Sequence, residues 1–141
     1  MGHKMRGRVI VKGRAEGEAL VSTEPLSFWG GYDHQTGEII DRRHPLSGSI
    51  AAKRVLALPS SRGSSTTTAV LLEAVRLRMA PSALLTIGVD SFFALASVVS
   101  DELYGRPIPL ISLTPDDFAK IKTGDWIVID EDGSVTCRND Q

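Results

Sequence analysis

The spacing of apolar positions changes near residue 55: short apolar pieces broken by glycine and proline precede it, and apolar runs alternating with helical periods follow it. Val9-Ile10-Val11, between Gly7 and Gly13, reads as a strand, and residues 18–21 read as a second one after a turn at Glu16-Gly17. Leu26-Ser27-Phe28-Trp29-Gly30-Gly31 predicts an extended piece and a turn, and residues 33–37 form a second turn leading to a strand at 38–41. His44-Pro45-Leu46-Ser47-Gly48 breaks regular structure, because proline restrains the residue before it. Beyond it, Val55 opens a buried-looking strand, and residues 66–79 place Val70, Leu71, Ala74 and Val75 on one helical face, with Pro81 as the stop.

The alternation continues to the C-terminus. Residues 83–88 read as a buried strand, 91–104 as a helix capped near Asp90 or Ser91 and stopped by Gly105, and 109–113 as another strand. Thr114-Pro115-Asp116-Asp117 combines a cap, a proline at the first helical position and acids in the first turn, predicting a short helix to about Ile121 that Gly124 closes. Asp132-Gly133 between residues 125–130 and 134–137 is a hairpin signal. The expected class is α/β, with a β-rich N-terminal half followed by alternating strands and helices.

Composition narrows the function classes. A chain of 141 residues with 42% hydrophobic content suits one domain, expected over residues 5–137, with loose ends at 1–4 and 138–141. Met1-Gly2-His3-Lys4 resembles a cloning remnant and is left out of the fold reading. Sixteen basic against seventeen acidic residues, mixed along the chain, offer no basic face for nucleic acid. The apolar run 92–99 is too short for a bilayer, so no membrane partner is expected. Cys137, alone and near the end, can form neither an internal disulfide nor a metal site. It suits a reducing, cytoplasmic compartment, and the histidines at 3, 34 and 44 lack metal-ligand spacing.

The chemistry concentrates in Ser60-Ser61-Arg62-Gly63-Ser64-Ser65-Thr66-Thr67-Thr68, which joins the strand at Val55 to a helix start. Amides at a helix start carry partial positive charge, Gly63 admits close approach of a ligand, and Arg62 can grip a carboxylate or phosphate with two hydrogen bonds. The plainer reading makes Ser64 or Ser65 a helix cap.

The turn belongs to an ordered series: Pro25-Leu26-Ser27-Phe28-Trp29-Gly30-Gly31, Thr36-Gly37-Glu38-Ile39-Ile40-Asp41, His44-Pro45-Leu46-Ser47-Gly48, Arg62-Gly63-Ser64-Ser65, Glu102-Leu103-Tyr104-Gly105 and Thr123-Gly124-Asp125. Together these motifs resemble the small subunit of aconitase X over nearly the whole chain. The resemblance implies a swivelling β/β/α domain that closes over a large subunit, with a four-iron four-sulfur cluster in that partner and no cofactor on this chain alone. It further implies a hydro-lyase. One branch dehydrates (R)-5-phosphomevalonate to trans-anhydromevalonate 5-phosphate in a modified mevalonate pathway to isoprenoids; the other dehydrates cis-3-hydroxy-L-proline. The first is the leading expectation. By the family's Arg-Gly-Ser element Ser64 is the proton acceptor, with Arg62, Gly63, Ser65 and His44 binding a small hydroxy-acid substrate. Ser61 stands where the family often has glycine, and ordinary aconitases place their base serine two residues before an arginine, which keeps Ser60 as the alternative.

Other residues carry lesser claims. His44 before a proline is more often a hydrogen-bonded turn residue than a ligand group, and Arg42 and Arg43 suit either phosphate binding or a solvated loop. Phe28 and Trp29 suit core or interface, and Glu102-Leu103-Tyr104-Gly105 suits a helix end. Two readings from other classes stand beside the dehydratase: a non-catalytic, anion-binding partner domain, and a hydrolase using Ser64 with His44 or His34. The second lacks the Gly-x-Ser-x-Gly elbow.

Overall fold

The computed structural model describes residues 2–62 and 65–138. In chain order the elements are β1 (Gly2–Arg6), β2 (Arg8–Val11), β3 (Ala15–Val21), β4 (Val55–Ala57), α1 (Thr66–Arg76), β5 (Ala83–Ile87), α2 (Ser91–Tyr104), β6 (Leu110–Leu113), α3 (Pro115–Phe118), β7 (Trp126–Ile129) and β8 (Ser134–Arg138). The strands form one eight-stranded mixed sheet in the order β1-β8-β7-β3-β4-β5-β6-β2. β3 changes partner midway: Ala15 to Glu18 pair antiparallel with β7, and Ala19 to Val21 pair parallel with β4.

β1 and β2 lie at opposite edges of this sheet, yet Gly7 is the only residue between them. A one-residue link between the edges requires the sheet to curl until they meet, which gives a nearly closed barrel. Gly7 seals the seam by donating its N–H to the Gly133 carbonyl at 2.9 Å. A Cβ at this position would lie 2.2 Å from Ile111 Cγ2, so only glycine passes through.

Closure explains the apolar runs. Ala19, Val55, Ala57, Ala83, Leu85, Ile111 and Leu113 join β7, β8 and α3 residues in one buried cluster, while the alternate residues Leu20, Leu56, Leu58, Leu84 and Leu110 enter a second cluster with α1 and α2. Parallel strands buried on both faces are apolar almost throughout, as residues 55–58 are and as 83–87 are apart from Thr86, whose hydroxyl donates to the Gly88 carbonyl.

Several expectations need correction. Residues 2–4, set aside as a loose end, pair with Arg138, Cys137 and Thr136. Glu16-Gly17 is strand and not turn, and Gly17 lets the Lys53 backbone approach closely, its carbonyl lying 3.0 Å from where a Cβ would be. No strand forms at 38–41. Ile39 donates to the Ser49 carbonyl and Ile40 to the Gly31 carbonyl, so each amide finds a different neighbour and only isolated bridges result. α1 stops at Arg76, before Pro81, because Arg78 turns left-handed (φ 62°) and Met79 N–H closes on the Ala74 carbonyl. α3 is four residues long, continued to Ile121 only by tighter turn bonds from Lys120 to Asp117 and from Ile121 to Phe118. Cys137 is fully buried, its thiol donating to Asp125 Oδ2 at 3.0 Å. α2, its Asp90 cap and the left-handed Gly105 at its end stand as predicted.

Candidate active site

The candidate site lies where two loops leave the C-terminal ends of the neighbouring parallel strands β4 and β5. After β4 the pairing continues as Leu58 N–H donates to the Leu85 carbonyl and Ile87 N–H to that of Pro59. The chain then passes through Ser60, Ser61 and Arg62 toward Ser65 and α1; Gly63 and Ser64 lie outside the described residues.

Each described residue of the turn has a defined place. Ser60 is half-buried, and its hydroxyl donates to the Ser61 carbonyl at 2.9 Å. Ser61 bridges in parallel to Leu26, and Arg62 N–H donates to the Leu26 carbonyl at 2.9 Å. The Arg62 side chain is exposed, with no partner among the described residues. Ser65 occupies the N-cap position in helical conformation and makes no side-chain cap bond; its carbonyl accepts from Thr68 N–H. The 11-residue α1 thus points its positive end at the loop that carries Arg62.

β5 delivers the second wall. Gly88 turns left-handed (φ 78°) and sets Asp90 at the start of α2, where Oδ1 accepts from Phe92 and Phe93 N–H at 3.0 Å each. Its other oxygen, Oδ2, accepts from the backbone N–H of Ser61 at 2.6 Å and from its hydroxyl at 2.8 Å. The sequence reading missed this second role, for which the local pattern holds no signal: the partner lies 29 residues upstream.

The His44 side chain makes no hydrogen bond to the described residues of the turn. Its ring is buried, Nδ1 accepts from Leu46 N–H at 3.1 Å, and Nε2 lies 3.2 Å from the Glu24 carbonyl. Accepting at Nδ1 makes Nε2 the protonated nitrogen and the donor to Glu24, so both nitrogens are used. His44 therefore braces the segment that leads to Leu26. Arg42 and Arg43 are exposed on the neighbouring turn. Phe28 is fully buried, stacked on Tyr32 at 5.2 Å and edge-on to Phe93 at 5.4 Å, whereas Trp29 is 70% exposed and so is not core. Trp29 and Ile40 line a groove of about 380 Å³ with Tyr32, His34 and Val70.

Among the described residues no three His, Cys, Asp or Glu side chains gather as a metal-holding group, and no helix is long and apolar enough to cross a membrane. Cys137, buried against Asp125, is not poised as a thiolate ligand: burial, then the Asp125 bond, push its thiol up to about 12. The described residues do not fit an iron–sulfur cluster, which is held by several cysteine thiolates, because Cys137 is the single cysteine.

A barrel-like mixed sheet flanked by two helices, with a serine- and arginine-bearing turn at the ends of its parallel strands, defines a swivel-type α/β domain. The aconitase X swivel domain model matches residues 4–137, and the chain belongs to that family. Its fold superimposes on the crystal structure of the holo-form of aconitase X from Thermococcus kodakaraensis with a TM-score of 0.86 at 33% identity, covering 97% of this chain and 99% of the other. A phosphomevalonate dehydratase small subunit from Thermococcus kodakarensis is 34% identical over 92% of this chain and 91% of its own length. A cis-3-hydroxy-L-proline dehydratase from Pseudomonas aeruginosa is 45% identical over 79% of this chain, which spans only 19% of that protein.

Proposed function

We propose that the chain is the small subunit of a two-subunit hydro-lyase, a phosphomevalonate dehydratase, in which it supplies the base and a cluster-bearing large subunit supplies the remainder of the site. The observation that carries this reading is the two-sided match to proteins named as that small subunit, about nine-tenths of both chains for the Thermococcus kodakarensis relative. On this reading Ser64, in Arg62-Gly63-Ser64, accepts the proton α to the substrate carboxylate. Negative charge develops as the proton leaves, and the exposed Arg62 guanidinium and the positive end of α1 are the groups here that stabilise it. Ser65 and Gly63 contribute backbone donors, and the four-iron four-sulfur cluster is assigned to the partner. His44 is assigned a supporting role, since both of its ring nitrogens are engaged.

A second reading has its own support. Higher identity, 45%, ties the chain to a cis-3-hydroxy-L-proline dehydratase, and both substrates would present a hydroxyl and a carboxylate to the same turn. Anaerobic assembly with the large subunit, followed by product assays on both compounds, separates the two. The expected result is turnover of phosphomevalonate by the pair and none by this chain alone, with Ser64→Ala lowering kcat by a factor on the order of 100 or more, the usual worth of a positioned base. Near-parental turnover in Ser64→Ala would refute the assignment of Ser64 and leave either Ser60 as the base or a non-catalytic partner domain.

A further inference from the structure

We infer that Asp90 is a positioning residue, which holds Ser61 and thereby fixes the main chain that carries Arg62; its consequence for turnover rests on the dehydratase reading above. The geometry divides the carboxylate between two tasks. Oδ1 caps α2 through Phe92 and Phe93 N–H, and one oxygen is all that a cap uses. Oδ2 is surplus to capping, yet it takes the two shorter bonds, 2.6 Å from Ser61 N–H and 2.8 Å from its hydroxyl. Asp90 is 8% exposed, and a carboxylate so buried is tolerable because four donors and the positive end of a 14-residue helix surround it.

The bond reaches Arg62 through the backbone. Ser61 is held on one side by Asp90 and on the other by its bridge to Leu26, whose carbonyl also accepts from Arg62 N–H. The Cα of Arg62 is thus pinned between β5's exit loop and the segment at Leu26, while its guanidinium stays exposed. A cation held at its root and open at its tip is pre-organised for an anion, and small displacements of such groups are costly to rate. Serine at 90 would keep the helix cap but is too short to reach Ser61. Asparagine would keep one acceptor for the cap and turn its NH2 toward Ser61, where the hydroxyl can accept from it but the backbone N–H loses its acceptor.

The test compares Asp90→Ser, Asp90→Asn and Ser61→Gly in the full chain and in the assembled enzyme. In the parent, the short charge-assisted bond should place the Ser61 amide proton resonance downfield. Asp90→Ser should move it upfield while the resonances of α2 stay in place, and kcat/KM should fall on the order of tenfold or more. Ser61→Gly, which keeps the backbone bond and loses the hydroxyl bond, should fall less. Should Asp90→Ser not fold, Asp90→Asn, an equally good cap, carries the same readings. A Ser61 amide unmoved in the position-90 variant, or parental kcat/KM in it, would overturn the inference. If the parent assembly turns over neither substrate, the dehydratase reading fails by itself, and the Ser61 amide alone then supports or overturns the role of Asp90.

Discussion

Among single residues, Cys137 shows how position in the fold resets chemistry. Near the C-terminus of the sequence it would be exposed and titrate normally, but β1 covers β8 and buries it completely beside Asp125. Burial and the hydrogen bond to Asp125 raise its thiol from 9.0 to about 12. The folded state therefore keeps the proton to higher pH than the unfolded state does. Its contribution is whole below pH 9 and is lost as the pH climbs from there toward 12, because only the unfolded thiol ionises in that window. Between pH 9 and pH 10 the loss amounts to about 1 kcal/mol. Urea unfolding at the two pH values should show this extra loss in the parent relative to Cys137→Ala; equal losses in both would show that the thiol titrates alike in the two states. Maleimide should label Cys137 at pH 8 only after unfolding, since a thiol so raised has little thiolate.

At the level of elements, α2 is joined to the sheet by a buried hydroxyl. Ser97 donates to the Ile108 carbonyl at 2.5 Å and accepts from Ile108 N–H at 2.7 Å, satisfying both backbone groups just before β6. Ser97→Ala strands two buried backbone groups at once, and each such group costs about 1–3 kcal/mol. The variant should unfold at least about 2 kcal/mol more easily, whereas Ser91→Ala, exposed at the start of the same helix, should be near neutral. A Ser97→Ala midpoint equal to the parent's would contradict this account.

The same helix shows what was legible in the sequence. α2 carried its own signals, an Asp cap and a glycine stop, and appears at the predicted bounds. The hairpin at Asp132-Gly133 and the buried strands were readable for the same reason: their determinants lie within a few residues. Elements whose determinants are distant were not readable. Glu16-Gly17 looks like a turn until the Lys53 backbone is seen against it, and 38–41 looks like a strand until no continuous neighbour is found. At the candidate site, Arg62 and the serines stood out by composition, while the contact of Asp90 with Ser61 depends on β4 and β5 being neighbours. His44 was legible as a turn residue, because proline follows it.

For the molecule as a whole, the decisive feature is that β3 belongs to both parts of the sheet. Its first half pairs with β7 in the antiparallel part, and its second half pairs with β4 in the parallel part. The two buried clusters lie on alternate residues of the same strands, so neither can be dismantled while the other keeps its backbone partners. Such an arrangement predicts one cooperative transition in spite of two cores. The two tryptophans report on the parts separately: Trp29 lies beside Phe28 and Val70 on the helix-covered side, and Trp126 pairs with Glu18 and Arg138 in the antiparallel part. Trp126→Phe leaves a reporter of the first, and Trp29→Phe a reporter of the second. Both variants are at partly or largely exposed side chains, so stability should change little. In urea, fluorescence of each variant and far-ultraviolet circular dichroism should give one midpoint and one slope. If Trp126 reports a transition at lower urea than Trp29, the antiparallel part opens by itself and β3 does not couple the halves.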